Sequence, residues 1–330
     1  MKRSLGILAV ASAVAGIIAM STACDRRMSP PAQAPTKVSI RLQWYPTAQF
    51  AGMYLAQAKG YYKARGVEVD LLPGGPNINA VALVGNGTEP FGVWTADSIL
   101  AAQSKGMPVT IVAAIYRKDP NVLMVKAESP IQSPKDFIGK TVTTVRGRST
   151  ETLLMALLDR EGIAADSVNI EPFPFSIQSF LDGKVDVSAA YVYDHVYQAR
   201  KHGQQVRVFD YSNFGLNFYS DCLIVNNDYA KKHPDVVSSV VQATVQGWND
   251  ALSSPDEAVT ALLSVDSGLD PEAQLFMIKE SEVLIRPAGD SAIGVARIED
   301  MVNMADVLKK QGLLPPAFDP SHSFDNSYIK

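Results

Sequence analysis

Cysteine and histidine are scarce in this chain, with 2 cysteines and 4 histidines among 330 residues. A disulfide framework is therefore excluded, because the chain offers one cysteine pair at most. No Cys/His cluster has the spacing of metal ligands, since the histidines are scattered at His195, His202, His233 and His322. Cys222 lies in the apolar run 222–225, so we expect it to be a small core residue rather than a nucleophile.

Strong charge of either sign is also missing. The formal net charge is −4, and 19% of the residues are charged. A nucleic-acid partner would require a basic face, so none is predicted. The chain instead has 47% hydrophobic residues and a length that suits about two domains. This composition predicts a globular protein with a sizeable core.

Residues 1–24 have the pattern of an export signal peptide. Lys2 and Arg3 precede an apolar stretch, 5–20, which is followed by small residues. The segment is too short and too early in the chain to be a stable membrane span. Residues 25–36 are polar and proline-rich, which predicts a flexible tether before the folded part of the chain.

The end of the signal resembles the lipobox of bacterial lipoproteins, in which Cys24 becomes the lipidated first residue of the mature protein. Ser21 departs from that pattern, because it stands where the family usually has leucine. Asp25 after the cysteine resembles the signal that retains lipoproteins at the inner membrane. Acylation of Cys24 would rule out an intramolecular disulfide. The alternative is an ordinary signal peptide that is cleaved near Ala23 or Ala34.

The stretch 37–75 predicts a β–α–β unit, around which the rest of the chain is organised. Apolar and polar residues alternate over 38–42 and again over 67–71, which is the period of half-buried strands. Between the strands the sequence predicts a helix of about 48–65. The first loop, 43–47, follows a strand directly, at the position where open α/β sheets bind ligands.

Strands and helices continue to alternate after this unit, which predicts an α/β fold with parallel sheets. The chain is expected to form two α/β lobes joined by two crossing strands, near 122–125 and 218–225. Lobe one is assigned to 37–128 and 220–330, and lobe two to 129–219. The C-terminal part is mainly helical and is expected to pack on lobe one.

Several short motifs, taken in order, resemble the periplasmic binding proteins of ABC importers for thiamine pyrimidines, riboflavin, sulfonates and related small molecules. The motifs are Trp44, Pro46, Gly52, 54–56, 59–62, 66–67, 91–93, 96–97, 100–101, 105–109, 133–140, 312–314 and 318–320. The resemblance covers nearly the whole mature chain. It implies the fold of a type II periplasmic binding protein, with the ligand in a cleft between the two lobes.

The same resemblance implies where the protein acts and with what. It implies a periplasmic monomer, anchored to the inner membrane by a lipid on Cys24. The implied partners are a small-molecule ligand and an ABC permease with its ATPase, and no cofactor is implied.

Loops that follow the strands of both lobes are predicted to face the cleft. The candidate ligand-binding residues are Gln43, Trp44, Tyr45, Gly75, Trp94, Thr95, Tyr116, Arg146, Ser149, Tyr191, Tyr193, Asp194, Tyr219 and Asp221. Aromatic rings suit a planar heterocycle, and Asp194 or Asp221 can accept hydrogen bonds from its N–H groups. The alternative for each aromatic residue is core packing between the lobes.

Trp94 is predicted to leave the sheet in the loop after the strand 91–93 and to stack on the ligand. The chain also resembles, weakly, the fungal thiamine-pyrimidine synthases. That resemblance implies the same fold and places Trp94 where those enzymes have the lysine that holds pyridoxal phosphate. Ser98 replaces their histidine. No nucleophile–base pair or carboxylate pair at a suitable spacing takes over, so catalysis is not expected.

The ligand class is predicted from the loop after the second strand. Gly74-Gly75-Pro76 resembles the riboflavin and pyrimidine branch more than the sulfonate branch, which favours a thiamine pyrimidine precursor or riboflavin. A sulfonate or taurine-type anion is the alternative, because the loop 146–150 enters a helix and offers anion donors. A plain capped helix start is the other interpretation of that loop.

Overall fold

The computed structural model describes residues 34–287 and 292–329. The predicted signal peptide with Cys24, and residues 25–33 of the predicted tether, lie outside the described residues. The described residues from Pro35 onward belong to one compact unit. No helix in the described ranges combines the length and the apolar character of a membrane span.

The strands in the described part of the chain form three sheets. They are β1 (Thr36–Arg41), β2 (Val67–Leu72), β3 (Phe91–Trp94), β4 (Val109–Tyr116), β5 (Asn121–Lys126), β6 (Thr141–Thr144), β7 (Asn169–Pro172), β8 (Ser188–Tyr191), β9 (Val206–Asp210) and β10 (Ser220–Asn226). The first sheet has the order β2-β1-β3-β10-β4, the second is β8-β5-β9, and the third pairs β6 with β7. We call the first sheet with its helices lobe one, and the other two sheets with theirs lobe two.

The helices surround these sheets. They are α1 (Ala51–Ala58), α2 (Tyr61–Ala64), α3 (Ala80–Gly85), α4 (Ala96–Gln103), α5 (Ser149–Arg160), α6 (Gln178–Leu181), α7 (His195–Lys201), α8 (Asn227–Lys232), α9 (Pro234–Ser253), α10 (Pro255–Leu263), α11 (Pro271–Ile285) and α12 (Ile298–Lys310). Short 3₁₀ turns occur at Ala48–Phe50, Pro134–Phe137, Ala165–Ser167, Tyr211–Phe214, Pro320–His322 and Asn326–Tyr328.

The predicted β–α–β opening is present. β1 and β2 pair in parallel, with Val38 opposite Val69 and Ile40 opposite Leu71. The predicted single helix of 48–65 is wrong in its continuity, because a 3₁₀ turn, α1 and α2 take its place. Gly60 separates α1 from α2 with φ of 72°, a left-handed conformation that costs glycine little.

Within residues 34–287 and 292–329, the chain passes between the lobes twice. The first passage, 117–120, joins β4 of lobe one to β5, and the second, 211–219, joins β9 to β10. β5 pairs on one side with β8 and on the other with β9, so it belongs to the sheet of lobe two. The sequence-based boundary at residue 128 lies just after this strand.

The C-terminal helices pack on lobe one, as the sequence predicts, and two glycines set the distance. A Cβ at Gly52 would lie 2.3 Å from Cγ of Trp248, and a Cβ at Gly247 would lie 2.1 Å from the carbonyl oxygen of Gly52. Both positions therefore require glycine at this crossing of α1 and α9. The contact holds the segment before α1, which contributes to the cleft described next.

Candidate functional site

A cleft of about 480 Å³ lies between loops of lobe one and loops of lobe two. Lobe one contributes the loop after β1 and the end of β3. Lobe two contributes the loops after β6 and β7 and the end of β8. Gln274 and Met277 of α11 complete the lining. Most of these segments follow the carboxyl ends of strands, where α/β sheets bind ligands.

Two glutamines of lobe one are held by one buried carboxyl group. The side chain of Gln43 donates from Nε2 to Oδ1 of Asp221 over 2.6 Å. Gln49 donates from Nε2 to the same oxygen over 2.9 Å and to Oδ2 over 3.1 Å. Both glutamines line the cleft, whereas Asp221 lies behind them with 1% of its surface exposed.

Asp221 has two unusual properties. Its φ of 43° lies in the left-handed region, which aspartate and asparagine enter more readily than most residues. Burial raises the pKa of its carboxyl group to about 8, opposed by the hydrogen bond from Gln49 and reinforced by the nearby charge of Asp119. At neutral pH the carboxyl group is therefore mostly protonated.

Asn121, at the start of β5, contributes a third amide to the lining. Its backbone N–H and its Nδ2 both donate to Oδ1 of Asp119, over 2.8 Å and 2.6 Å. Its side-chain carbonyl oxygen has no hydrogen-bond partner within the described part of the chain. Burial is the main reason that the pKa of Asp119 is raised to about 7.

Aromatic rings form the wall that reaches the mouth of the cleft. Trp44 of lobe one stacks on Phe175 of lobe two, with ring centroids 5.9 Å apart and planes at 21°. Phe175 is 56% exposed and has φ of 53°, a strained conformation for a bulky residue. Phe173 contacts both Phe175 and His195 edge-on, so the wall continues inward.

His195 is positioned as an acceptor rather than as a catalytic base. Its Nδ1 accepts a hydrogen bond from the backbone N–H of Tyr191 over 2.9 Å. Burial lowers the pKa of the imidazole, although Asp194 acts in the opposite direction. The ring is therefore neutral at pH 7 and offers an aromatic surface to the cleft.

The lobes touch each other around the cleft through polar contacts. Arg148 lies over the ring of Trp94, 4.7 Å from its centroid, and donates to the carbonyl oxygen of Pro76 over 3.0 Å. The Ser149 hydroxyl, at the start of α5, donates to buried Asp97 over 2.7 Å. This hydroxyl is thereby already engaged with a carboxylate instead of a ligand.

Nine of the sequence-predicted residues lie in the lining, and they come from both lobes. They are Gln43, Trp44, Trp94, Thr95, Arg146, Ser149, Tyr191, Tyr193 and Asp194. Trp94 differs from the expectation in one respect, because it is the last residue of β3 rather than a loop residue and is only 4% exposed. It packs with core residues of lobe one while one part of it faces the cleft.

The other five predicted residues lie outside the lining. Tyr116 is fully buried, and its hydroxyl bonds that of Ser281 over 2.8 Å. Tyr219 is also fully buried and donates to Asp300. Tyr45 is 53% exposed beside Gly75, and Asp221 supports the lining from behind.

The lining also contains residues that the sequence did not single out. They include Thr47, Gln49, Asn121, Phe173, Phe175, Ser176, His195, Gln198, Gln274 and Met277. Gln49 had a detectable signal, since it is a polar residue in an otherwise apolar stretch of sequence, and the structure buries it. Gln274 had none, because it reaches the cleft from α11.

The described residues contain neither a metal-ligand cluster nor an exposed thiol. No group of three or more His, Cys, Asp or Glu in this part of the chain could hold a metal ion. Cys222 is fully buried, and burial raises the pKa of its thiol well above the usual value. The main groups that line the cleft are aromatic rings and amides fixed by hydrogen bonds.

Comparison with known proteins identifies a family. Residues 47–258 match the family described as NMT1/THI5 like. The formylaminopyrimidine-binding protein of Halalkalibacterium halodurans is 27% identical over 263 residues, 78% of each chain. The riboflavin-binding protein RibY of Chloroflexus aurantiacus is 26% identical over 340 residues, 95% of each chain.

An enzyme and a solved structure are also similar to this chain. The 4-amino-5-hydroxymethyl-2-methylpyrimidine phosphate synthase of Schizosaccharomyces pombe is 24% identical over 306 residues, 89% of this chain and 86% of that one. The aliphatic sulphonate binding protein SsuA of Escherichia coli has a TM-score of 0.71 and 19% identity, over 88% of this chain and 92% of that one. The structural match confirms the predicted α/β fold of a periplasmic binding protein.

Proposed function

Because the chain belongs to the NMT1/THI5-like family, we propose that it is the substrate-binding lipoprotein of an ABC importer. In this proposal it holds a small planar heterocycle, a thiamine pyrimidine precursor or riboflavin, in the interlobe cleft and delivers it to a membrane permease. The observation that carries the proposal is the aromatic cleft with its fixed amides. Its volume of about 480 Å³ lies in the usual range for small-molecule sites.

The relatives support binding rather than catalysis. The two relatives with the highest identities given above are binding proteins for a pyrimidine and a flavin. A pyrimidine phosphate synthase is similar at lower identity. Trp94 occupies the place that the resemblance assigns to the cofactor lysine of such synthases, and its buried indole cannot form a Schiff base. We therefore propose that this chain is not an enzyme.

A sulfonate ligand is the second candidate, and the geometry of α5 argues against it. A sulfonate would need several donors converging on it at the start of this helix. Ser149 donates to Asp97, and Arg148 is held by the ring of Trp94 and the Pro76 carbonyl. These contacts engage two of the three candidate anion donors of this loop and leave Arg146 as the third, so the donors that could converge on an anion are fewer than the sequence indicates.

Binding to a panel of ligands tests the proposal. Protein of residues 25–330, purified without refolding, is titrated with 4-amino-5-hydroxymethyl-2-methylpyrimidine, riboflavin and taurine, and unfolding is followed with each. A true ligand at a hundred times its Kd should add about 2.7 kcal/mol of stability. We expect one of the heterocycles to do so. Stabilisation by taurine alone, or by none of the three, would reject the heterocycle.

Neighbouring aromatics provide matched variants for this experiment. Trp44 lines the cleft, whereas Tyr45 is 53% exposed and lies outside the lining. We expect Trp44→Ala to weaken binding at least about tenfold, equivalent to ~1.4 kcal/mol, and Tyr45→Ala to change it little. Equal effects of the two substitutions would argue that the ligand binds elsewhere.

The anchor is proposed from the sequence, because Cys24 lies outside the described residues. The proposal is that Cys24 carries the lipid and that the protein stands on the periplasmic face of the inner membrane. Cys24→Ser should release the protein into the soluble periplasmic fraction and abolish labelling with a radioactive fatty acid. Cys222→Ala is the control and should keep both. Continued membrane association of Cys24→Ser would disprove the anchor.

A further inference from the structure

Most of the carboxamide side chains of the cleft are held by their nitrogen end, which the family resemblance does not explain. Five of the described lining residues carry a carboxamide: Gln43, Gln49, Asn121, Gln198 and Gln274. An amide has two donor hydrogens on nitrogen and an acceptor oxygen, and its partners decide which end is free. In four of the five, an aspartate binds the nitrogen end.

Asp221 fixes two of these amides at once. Oδ1 accepts from Nε2 of Gln43 at 2.6 Å and from Nε2 of Gln49 at 2.9 Å. Gln49 also donates to Oδ2, over the longer distance of 3.1 Å. Since each glutamine has a hydrogen bond to Oδ1, a proton on Oδ2 leaves both amides held through that oxygen. No donor among the described residues contacts the carbonyl oxygen of either glutamine, and both side chains are more than nine-tenths buried.

Asp119 acts on Asn121 in the same way. It accepts from Nδ2 at 2.6 Å and also from the backbone N–H of Asn121, so the amide cannot turn without losing its partner. The Asn121 oxygen is left without a partner in the described part of the chain. Asp194 accepts from Nε2 of Gln198 at 2.6 Å, which repeats the pattern at the rim.

Gln274 is the exception. Its Oε1 accepts from the backbone N–H of Ala48 over 2.7 Å, so its nitrogen end is the free one. The cleft therefore offers several fixed amide oxygens and one amide donor. Leaving a buried acceptor without a hydrogen bond costs free energy. A ligand that brings N–H groups to these oxygens should therefore bind more tightly than one that does not.

Resting on the proposed function, we propose that Asp221 and Asp119 are positioning residues that turn the amides of Gln43, Gln49 and Asn121 so that the cleft selects ligands bearing N–H donors. The aspartates do not touch the ligand. They act by preventing each amide from turning to the opposite orientation. The site therefore discriminates between a ligand that carries an amino group and a ligand in which a group of the same shape cannot donate a hydrogen bond.

The ligand side of this proposal is tested on the unaltered protein. Isothermal titration compares 4-amino-2-methylpyrimidine with 2,4-dimethylpyrimidine, in which a methyl group of similar size replaces the amino group. Riboflavin and its N3-methyl derivative form a second pair, differing at the ring N–H. We expect the donor-bearing member of whichever pair binds to be favoured at least tenfold. Equal affinity within that pair overturns the inference.

Two substitutions of Asp221 separate positioning from a merely structural role. Asp221→Asn keeps an acceptor oxygen for both glutamines and suits φ of 43°. Asp221→Gly also suits this backbone but removes the acceptor. We expect the asparagine variant to keep the tenfold preference and the glycine variant to lose it, to below about threefold, through weaker binding of the donor-bearing ligand.

The outcomes distinguish this inference from the proposed function. Binding of a heterocycle without preference within its pair, or with the preference unchanged in a folded Asp221→Gly, overturns the inference and leaves the function standing. Binding of taurine or ethanesulfonate instead of any heterocycle rejects the function. Ethanesulfonate has no N–H, so its binding also overturns the inference, as does the absence of binding by every probe. If Asp221→Gly fails to fold, the ligand pairs on the unaltered protein still decide.

Discussion

Replacing Asp221 by asparagine should make the stability of the protein less sensitive to a rise in pH between 3.8 and about 8. In the folded protein, burial raises the pKa of this carboxyl group from its ordinary 3.8 to about 8. Between those two values the unfolded chain has released the proton that the folded chain still holds. The contribution of this group to stability is therefore greatest below pH 3.8 and declines as the pH rises towards 8.

The size of the effect follows from the linkage relation. A group that is protonated only in the folded state changes the free energy of unfolding by about 1.4 kcal/mol per pH unit. Between pH 5 and pH 7 the wild-type protein should therefore lose ~2.7 kcal/mol through Asp221 alone. The asparagine side chain of the variant does not titrate, and its oxygen still accepts from Gln43 and Gln49, so the variant escapes this loss.

Urea unfolding measured by circular dichroism at pH 5, 6, 7, 8 and 9, at constant ionic strength, tests this directly. The quantity of interest is the unfolding free energy of the variant minus that of the wild type. Asp119, whose pKa is also raised, is present in both proteins, so the pH dependence that it contributes on its own is subtracted, and its effect on Asp221 belongs to the difference that is measured. The difference should increase with pH up to about 8 and then level off. A difference that stays constant, or falls as the pH rises, would refute the raised pKa of Asp221.

Three further substitutions have expected outcomes. Trp94→Ala should weaken ligand binding at least tenfold in a titration and lower stability by about 3–5 kcal/mol, because the ring is buried at the edge of the cleft. An unchanged affinity would show that Trp94 does not contact the ligand. Phe175→Gly should change the free energy of unfolding by no more than about 1 kcal/mol, because relief of left-handed strain offsets the lost contacts. It should speed ligand release in stopped-flow measurements, because the stack on Trp44 is lost. Unchanged release would mean that this stack does not retain the ligand. Gly52→Ala should be strongly destabilised in urea, because its Cβ would lie 2.3 Å from Trp248; a midpoint equal to the wild type would contradict the close crossing of α1 and α9.

The sequence predicts most of the fold because local periodicity and element order are strong signals. The alternation over 38–42 and 67–71 anticipates β1 and β2, which pair in parallel. The break between α1 and α2 was missed, although Gly60 marks it. Helical propensity on both sides outweighed one glycine in the sequence-based interpretation, whereas in the structure its φ of 72° interrupts the helix.

The candidate site is predicted in outline but not in its hydrogen bonding. Strand-end loops identify Gln43, Trp44 and Tyr191 as residues of the cleft. Whether an aromatic residue faces the cleft or the core depends on neighbours that are distant in sequence, such as Ser281 for Tyr116. The direction in which an amide points is likewise decided by tertiary contacts.

The contribution of α11 illustrates the same limit. Gln274 meets the backbone N–H of Ala48 across 226 positions of sequence. No local sequence pattern predicts that contact, because it is created by the packing of the C-terminal helices on lobe one. The sequence could predict that these helices pack there, but not which of their side chains reach the cleft.

The burial of Cys222 has a practical consequence for observing this protein at work. Its thiol is fully enclosed in β10 and resists deprotonation, so it will be almost inert towards maleimide dyes at neutral pH. A recombinant chain that starts after Cys24 then has no competing thiol. Lys201 on lobe two and Asp270 on lobe one form an ion pair at 2.5 Å and are both partly exposed. Cysteines introduced beside this pair would accept two fluorophores that quench each other on contact, so that separation of the lobes would appear as a gain in fluorescence.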